Sequence, residues 1–140
     1  MSAGKRFVDT GILVYAHDPS SGVKHHQATK IVADLWQSRA GVLSTQVLQE
    51  FCVTVRGLNR DFPLEDLQHI VRNFLDWEIV VNTGESIVNA LGMESRYKIS
   101  FWDALIVHAA QASGADVLYS EDLNEGQRYG SVRVVNPLRG

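Results

Sequence analysis

Five short runs of apolar, largely β-branched residues punctuate the chain: Phe7-Val8, Val42-Leu43, Ile79-Val80-Val81, Val117-Leu118-Tyr119 and Val132 to Val135. Runs this short and this continuously apolar predict strands buried on both faces. Between them lie longer stretches with helical spacing. Segments near 24 to 38 and 45 to 57 are two of these. Pro63 suits a first helical turn, after which Leu64, Leu67, Ile70, Val71, Phe74 and Leu75 mark one apolar face. Thr83 can cap a helix that runs to about Tyr97, with Ile87, Val88 and Leu91 inward. Ser100 caps another, which Gly114 ends. Strands alternating with helices predict an α/β fold of three layers, α/β/α, around a central, mainly parallel, five-stranded sheet. The short connection before the last run can place that strand antiparallel at an edge.

No repeat, low-complexity tract or linker interrupts the pattern, so residues 1–140 are expected to form one domain. With 45% hydrophobic residues the chain can bury a sizeable core. The lone Cys52 excludes an internal disulfide framework, and the N-terminus does not read as a signal peptide, so a cytoplasmic location is expected. No apolar run approaches the roughly 18 to 20 residues that cross a bilayer. A net charge of −3 argues against specific DNA binding through a broad basic face, yet leaves room for a nuclease with an acidic metal centre.

In open α/β sheets ligands bind beyond the carboxyl ends of the strands. Asp9 follows the first run directly, and Glu121 and Asp122 follow the fourth, in Leu-Tyr-Ser-Glu-Asp. Glu50 borders the apolar side of its helix, with Val47 and Val53 three residues away on either side. Asp103 lies one turn into its own helix among Phe101, Trp102, Leu105 and Ile106. Each acid has an ordinary explanation. Asp9 can cap the next helix, Asp103 can complete a capping box with Ser100, Asp122 can belong to a turn, and Glu50 can face solvent. Their shared end of the sheet is harder to explain that way. Two carboxylates 4 to 5 Å apart repel by about 3 to 4 kcal/mol at an effective dielectric near 20, and a divalent cation removes that cost. An all-oxygen donor set suits Mg2+ or Mn2+ over Zn2+.

The stretches FVDTGILVYAHD at 7–18, STQVLQEF at 44–51, ISFWDALIVHAA at 99–110 and LYSEDLNEGQ at 118–127 carry a resemblance. In their order and spacing the chain resembles PIN-domain proteins, most specifically the VapC-like ribonuclease toxins of bacterial type II toxin–antitoxin pairs. The resemblance implies that Asp9, Glu50, Asp103 and Asp122 form a catalytic, metal-binding acidic site supported by the hydroxyls of Thr10 and Ser120. It implies a Mg2+- or Mn2+-dependent endoribonuclease acting on RNA, a cognate VapB-like antitoxin, and a homodimer, for which the helices near 24–38 and 64–76 are candidate interfaces. Gly11 departs from the family, which often has Asn there, and Glu121 occupies a commonly variable position.

Other functions fit less well. A dehalogenase-type phosphatase needs Asp-x-Asp where the chain has Asp9-Thr10-Gly11, and a receiver domain needs an aspartate where Asn82 stands. A PIN fold kept only for protein binding has little reason to retain four mutually repelling acids. The five histidines read as structural or solvated. Cys52 reads as a buried, unreactive thiol. Lys5, Arg6, Lys24, Arg56, Arg60, Arg96 and Lys98 can each position a phosphate, and the pattern singles out none of them.

Overall fold

The computed structural model describes residues 4–138. Among the described residues six strands form one sheet in the order β3-β2-β1-β4-β6-β5: β1 Arg6–Val8, β2 Gly41–Ser44, β3 Glu78–Val80, β4 Val117–Tyr119, β5 Arg128–Tyr129 and β6 Val132–Val135. All pairings are parallel except the last, β5 with β6. Six α-helices accompany them among the described residues: α1 Thr10–Ala16, α2 Val23–Ser38, α3 Thr45–Leu58, α4 Leu64–Phe74, α5 Gly84–Tyr97 and α6 Phe101–Ser113. The three-layer, mainly parallel α/β architecture is the one the apolar runs predict.

Strand number and the antiparallel edge differ from that expectation. β6 lies inside the sheet, parallel to β4 in the register Leu118↔Val134. The edge is β5, two residues long, which turns into β6 through Gly130-Ser131. Gly130 takes φ 64°, the left-handed conformation that tight hairpin turns require and glycine adopts without strain. A two-residue strand with exposed Arg128 and buried Tyr129 is too short to leave a periodic signal.

Helix phases differ at two places. In α5, Ser86 and Ala90 are buried while Ile87, Val88 and Leu91 are exposed. The small Ala90 packs against Ala104 and Leu105 of α6, and this close helix pairing leaves the larger side chains outside. In α4, Leu67 and Phe74 are buried, but Leu64 and Leu75 are exposed. Pro63 stands just before α4, as its cap residue, rather than within the first turn. The remaining ends follow the expected chemistry. Thr83 and Ser86 form a reciprocal capping box on α5, Ser100 accepts from the Asp103 amide on α6, and Gly114 closes α6 at φ 76°.

The core sits where β1, β2 and β4 meet the helices, with Phe7, Val8, Ile12, Leu13, Leu43, Phe51 and Leu118 fully enclosed. At its margin Trp77 meets Trp36 and Phe74 edge to face, and Trp36 and Phe74 pack at a shallower tilt. Gly41 is needed there, because a Cβ at that position would run into the Trp77 ring. The strand order 3-2-1-4 reverses direction between β1 and β4, so a crevice opens beyond the carboxyl ends of those two strands. Asp9 and Ser120 emerge there side by side, tied by the Asp9 amide donating to the Tyr119 carbonyl at 3.0 Å.

Candidate active site

Asp9 is the residue where β1 ends and α1 begins. Its Oδ1 accepts from the Thr10 amide at 2.7 Å, which makes it the cap of α1, and its Oδ2 accepts from the Ser120 hydroxyl at 2.8 Å. One carboxylate therefore caps α1 and also holds the residue that follows β4. Only 7% of Asp9 is exposed. Burial pushes its carboxyl up to about 6; the bonds from Ser120 and Thr10 oppose this, and the charges of Asp122 and Asp103 add to it.

The other acids attach to this centre through hydroxyls and charge. Thr10 donates its hydroxyl to Glu50 Oε1 at 2.7 Å, which joins α1 to α3. Ser120 accepts from the Asp122 amide at 3.2 Å and the Leu123 amide at 3.4 Å, which fixes the loop after β4. Asp103, half-buried in the first turn of α6, acts on Asp9 through its charge. Hydrogen bonds thus join Asp9 to Ser120 and Thr10 to Glu50, and the Asp122 amide to Ser120, while the Asp103 carboxylate is related to Asp9 by charge alone. Glu50 is half-buried beside the enclosed Val47 and Phe51, as its helix phase predicts, but Val53 is 72% exposed; the apolar side of α3 runs on through Val55 and leaves Val53 outside it.

Above the acids lies a cleft of about 700 Å3 lined by Thr10, Gly11, Glu50, Asp122 and Glu121 together with Tyr15, Gln46, Trp102 and Val53, among others. Three of its features escape the sequence pattern. Gln46, buried one helical turn before Glu50, donates to Glu50 Oε2 at 3.4 Å and to the Trp102 carbonyl at 3.2 Å, so it bridges the elements that carry two of the acids. Its spacing of four residues from Glu50 was the available signal. Trp102, next to Asp103, is 61% exposed on the cleft wall. Tyr15 and Lys24 both donate to Glu121, and the Lys24 ammonium holds that carboxyl below its usual range. No sequence spacing relates these three residues, which lie on α1, α2 and the loop after β4.

A hard divalent cation fits this arrangement. The donors are carboxylate and hydroxyl oxygens, and a cation would offset the burial and repulsion that raise the Asp9 carboxyl. Among the described residues no three His, Cys, Asp or Glu side chains draw together into a finished metal cage. The site is open, which suits an ion that keeps several waters and takes one or two carboxylates plus a substrate phosphate.

The histidines stand apart from the acids. His17 packs between the rings of Phe51 and Phe74, with its Nδ1 2.9 Å from the Leu13 carbonyl, and burial lowers its pKa. His108 is half-buried on α6, with the same direction of shift. Cys52 is half-buried, and burial raises its thiol pKa, which makes it less reactive.

No curated protein matches this chain. Among solved structures, the crystal structure of Mycobacterium tuberculosis VapC20, described as a sarcin–ricin loop cleaving toxin, superimposes with a TM-score of 0.68. The two are 20% identical over 84% of this chain and 90% of that one, a likeness of fold. A family model for the PIN domain matches residues 6–127, from the first residue of β1 to the residue before β5, and takes in all four acids. With the match extending over most of the sequence, the chain belongs to the PIN domain family.

Proposed function

We propose that this chain is a Mg2+- or Mn2+-dependent endoribonuclease, the toxin of a VapC-type toxin–antitoxin pair, with its activity contained in one domain. The observation that carries the reading is the buried Asp9 carboxyl, raised by burial and by the charges of Asp103 and Asp122 at the switch point of the sheet. A fold keeps a carboxylate so poorly solvated at such a position when a cation or a proton is to be taken up there.

In this reading Asp9 and Asp103 are the principal metal ligands, with Asp122 and Glu50 completing the surroundings directly or through water. The bound ion supplies a water of lowered pKa and a Lewis acid at the phosphoryl oxygen. The chain's own groups do the rest. Ser120 and Thr10 hold the Asp9 and Glu50 oxygens in fixed directions through bonds of 2.8 and 2.7 Å. Glu50, whose Oε1 and Oε2 accept from Thr10 and Gln46, is in this reading the carboxylate that orients the attacking water and takes its proton. The open cleft admits a looped or single-stranded RNA, with Trp102 on its wall.

The partners that follow are an RNA substrate, an antitoxin of VapB type and a second copy of the chain, in the cytoplasm. No described helix is long and apolar enough to cross a membrane. The test is RNA cleavage by purified protein with Mn2+ or Mg2+, with EDTA as control, for wild type, Asp9→Asn and Asp103→Asn. A drop of at least about 100-fold in both variants, at unchanged folding by circular dichroism, is expected. Wild-type turnover in both, or cleavage that persists in EDTA, would overturn the reading; metal-independent partner binding without cleavage would instead mark a binding module.

A further inference from the structure

An anionic polymer entering this cleft meets carboxylates, yet among the described residues no Lys or Arg lines its wall. A bound cation serves the phosphate that reacts, and the phosphates on either side still need neutralising. Lys24 is the cation tied to that wall. It sits in the first turn of α2 and donates to Glu121 Oε2, while the Tyr15 hydroxyl donates to Oε1 of the same carboxylate at 2.8 Å. Glu121 in turn lies between Ser120, which donates to Asp9, and Asp122.

This placement is a poor choice for stability alone. A cation at a helix N-terminus opposes the helix dipole, and an ion pair with Lys24 Nζ side-chain exposure of 44% is screened by solvent. The ion pair Lys5–Glu78, by contrast, lies at the opposite end of the sheet, before β1 and at the start of β3. A carboxylate receiving one ammonium and one phenolic hydroxyl has the hydrogen-bonding pattern of a phosphate oxygen pair.

Resting on the ribonuclease reading, we propose that Lys24 and Tyr15 form the site for an RNA backbone phosphate next to the reacting one, held ready in the free protein by Glu121, which the phosphate displaces. Lys24 is then a substrate-binding residue, and Glu121 sets how tightly RNA is held.

The experiment measures KM, kcat and the salt dependence of cleavage of a fluorescent RNA hairpin pool with Mn2+. The proteins are wild type, Lys24→Ala, Lys24→Arg, Glu121→Gln and the Lys24→Ala/Glu121→Gln double variant. Lys24→Ala should raise KM about tenfold and lower the salt slope by ~0.7, the value for one single-strand phosphate contact, while Lys24→Arg restores most of both. Glu121→Gln should lower KM about threefold, and that gain should disappear in the Lys24→Ala background, because the two residues act on one phosphate. A structural brace would instead make both single variants melt lower and move KM in the same direction. That result overturns the inference, as does an unchanged KM and salt slope in Lys24→Ala, or an equal Glu121→Gln gain with and without Lys24. Wild-type protein that cleaves no RNA would remove the ribonuclease reading and this inference together, whereas the other outcomes leave the former standing.

Discussion

Asp9 is a carboxylate kept where water scarcely reaches it, and its protonation follows. Its pKa is 3.8 in an unfolded chain and about 6 in the fold, so the folded state binds this proton more tightly. The sign is then fixed: the group penalises the metal-free fold above about pH 6, and the penalty fades as pH falls from 6 toward 3.8. Two pKa units correspond to about 3 kcal/mol at pH 7.5. Asp9→Asn removes the charge but must donate to, or lose, one of the two partners that now donate to it, so the net gain should be about 1 to 2 kcal/mol. Thermal melting in EDTA should show the variant several degrees above wild type at pH 7.5 and slightly below it near pH 4, where the burial penalty has faded and the lost hydrogen bond remains. A variant less stable than wild type at pH 7.5 would show that the Ser120 and Thr10 bonds outweigh burial. At this scale the acid residues themselves were legible in the sequence. Gln46 and Tyr15 were not, because an amide and a phenol on a helix look alike whether they face solvent or another element's acid.

Helix termini carry two of the four acids, so capping and chemistry are coupled at the scale of elements. Ser100 accepts from the Asp103 amide at 3.1 Å and sets the first turn of α6, the turn that holds Asp103 beside the cleft. Thr83 does the same for α5 through Ser86, in a first turn with no site acid. Ser100→Ala and Thr83→Ala should each cost about 1 kcal/mol in urea denaturation. Only Ser100→Ala should also slow RNA cleavage, by about tenfold, since it loosens the turn that positions the proposed metal ligand Asp103. Equal cleavage in the two variants would show that Asp103 is held by its packing alone. Element ends were readable from local chemistry: Thr83, Ser100 and Gly114 act where their side chains predict. The facing of α5 was not, because its apolar residues surround Ala90 and only the contact with Ala104 decides which side turns inward.

Over the whole molecule, several large apolar side chains are left outside the core. Leu64 and Leu75 are 58% and 55% exposed on α4 and flank an apolar groove of about 440 Å3 that also includes Cys52, Leu67 and Val71. If α4 is the interface of the proposed homodimer, wild-type protein should sediment as a dimer at micromolar concentration, and Leu64→Glu/Leu75→Glu should sediment as a monomer with its far-ultraviolet circular dichroism unchanged. A double variant that stays dimeric would move the interface to another face. The sequence by itself determined the fold class, the five longer strands and most helix ends, and it singled out the acids proposed for the site. These follow from short-range physics: the period of apolar positions, capping hydroxyls, and the cost of unpaired carboxylates. Only the tertiary structure decided that β6 lies inside the sheet with β5 at its edge, that α5 buries Ala90, and that Gln46 joins Glu50 to Trp102 while Lys24 and Tyr15 meet on Glu121. Those depend on strand order and on residues up to 106 positions apart brought within a hydrogen bond, which no local pattern encodes.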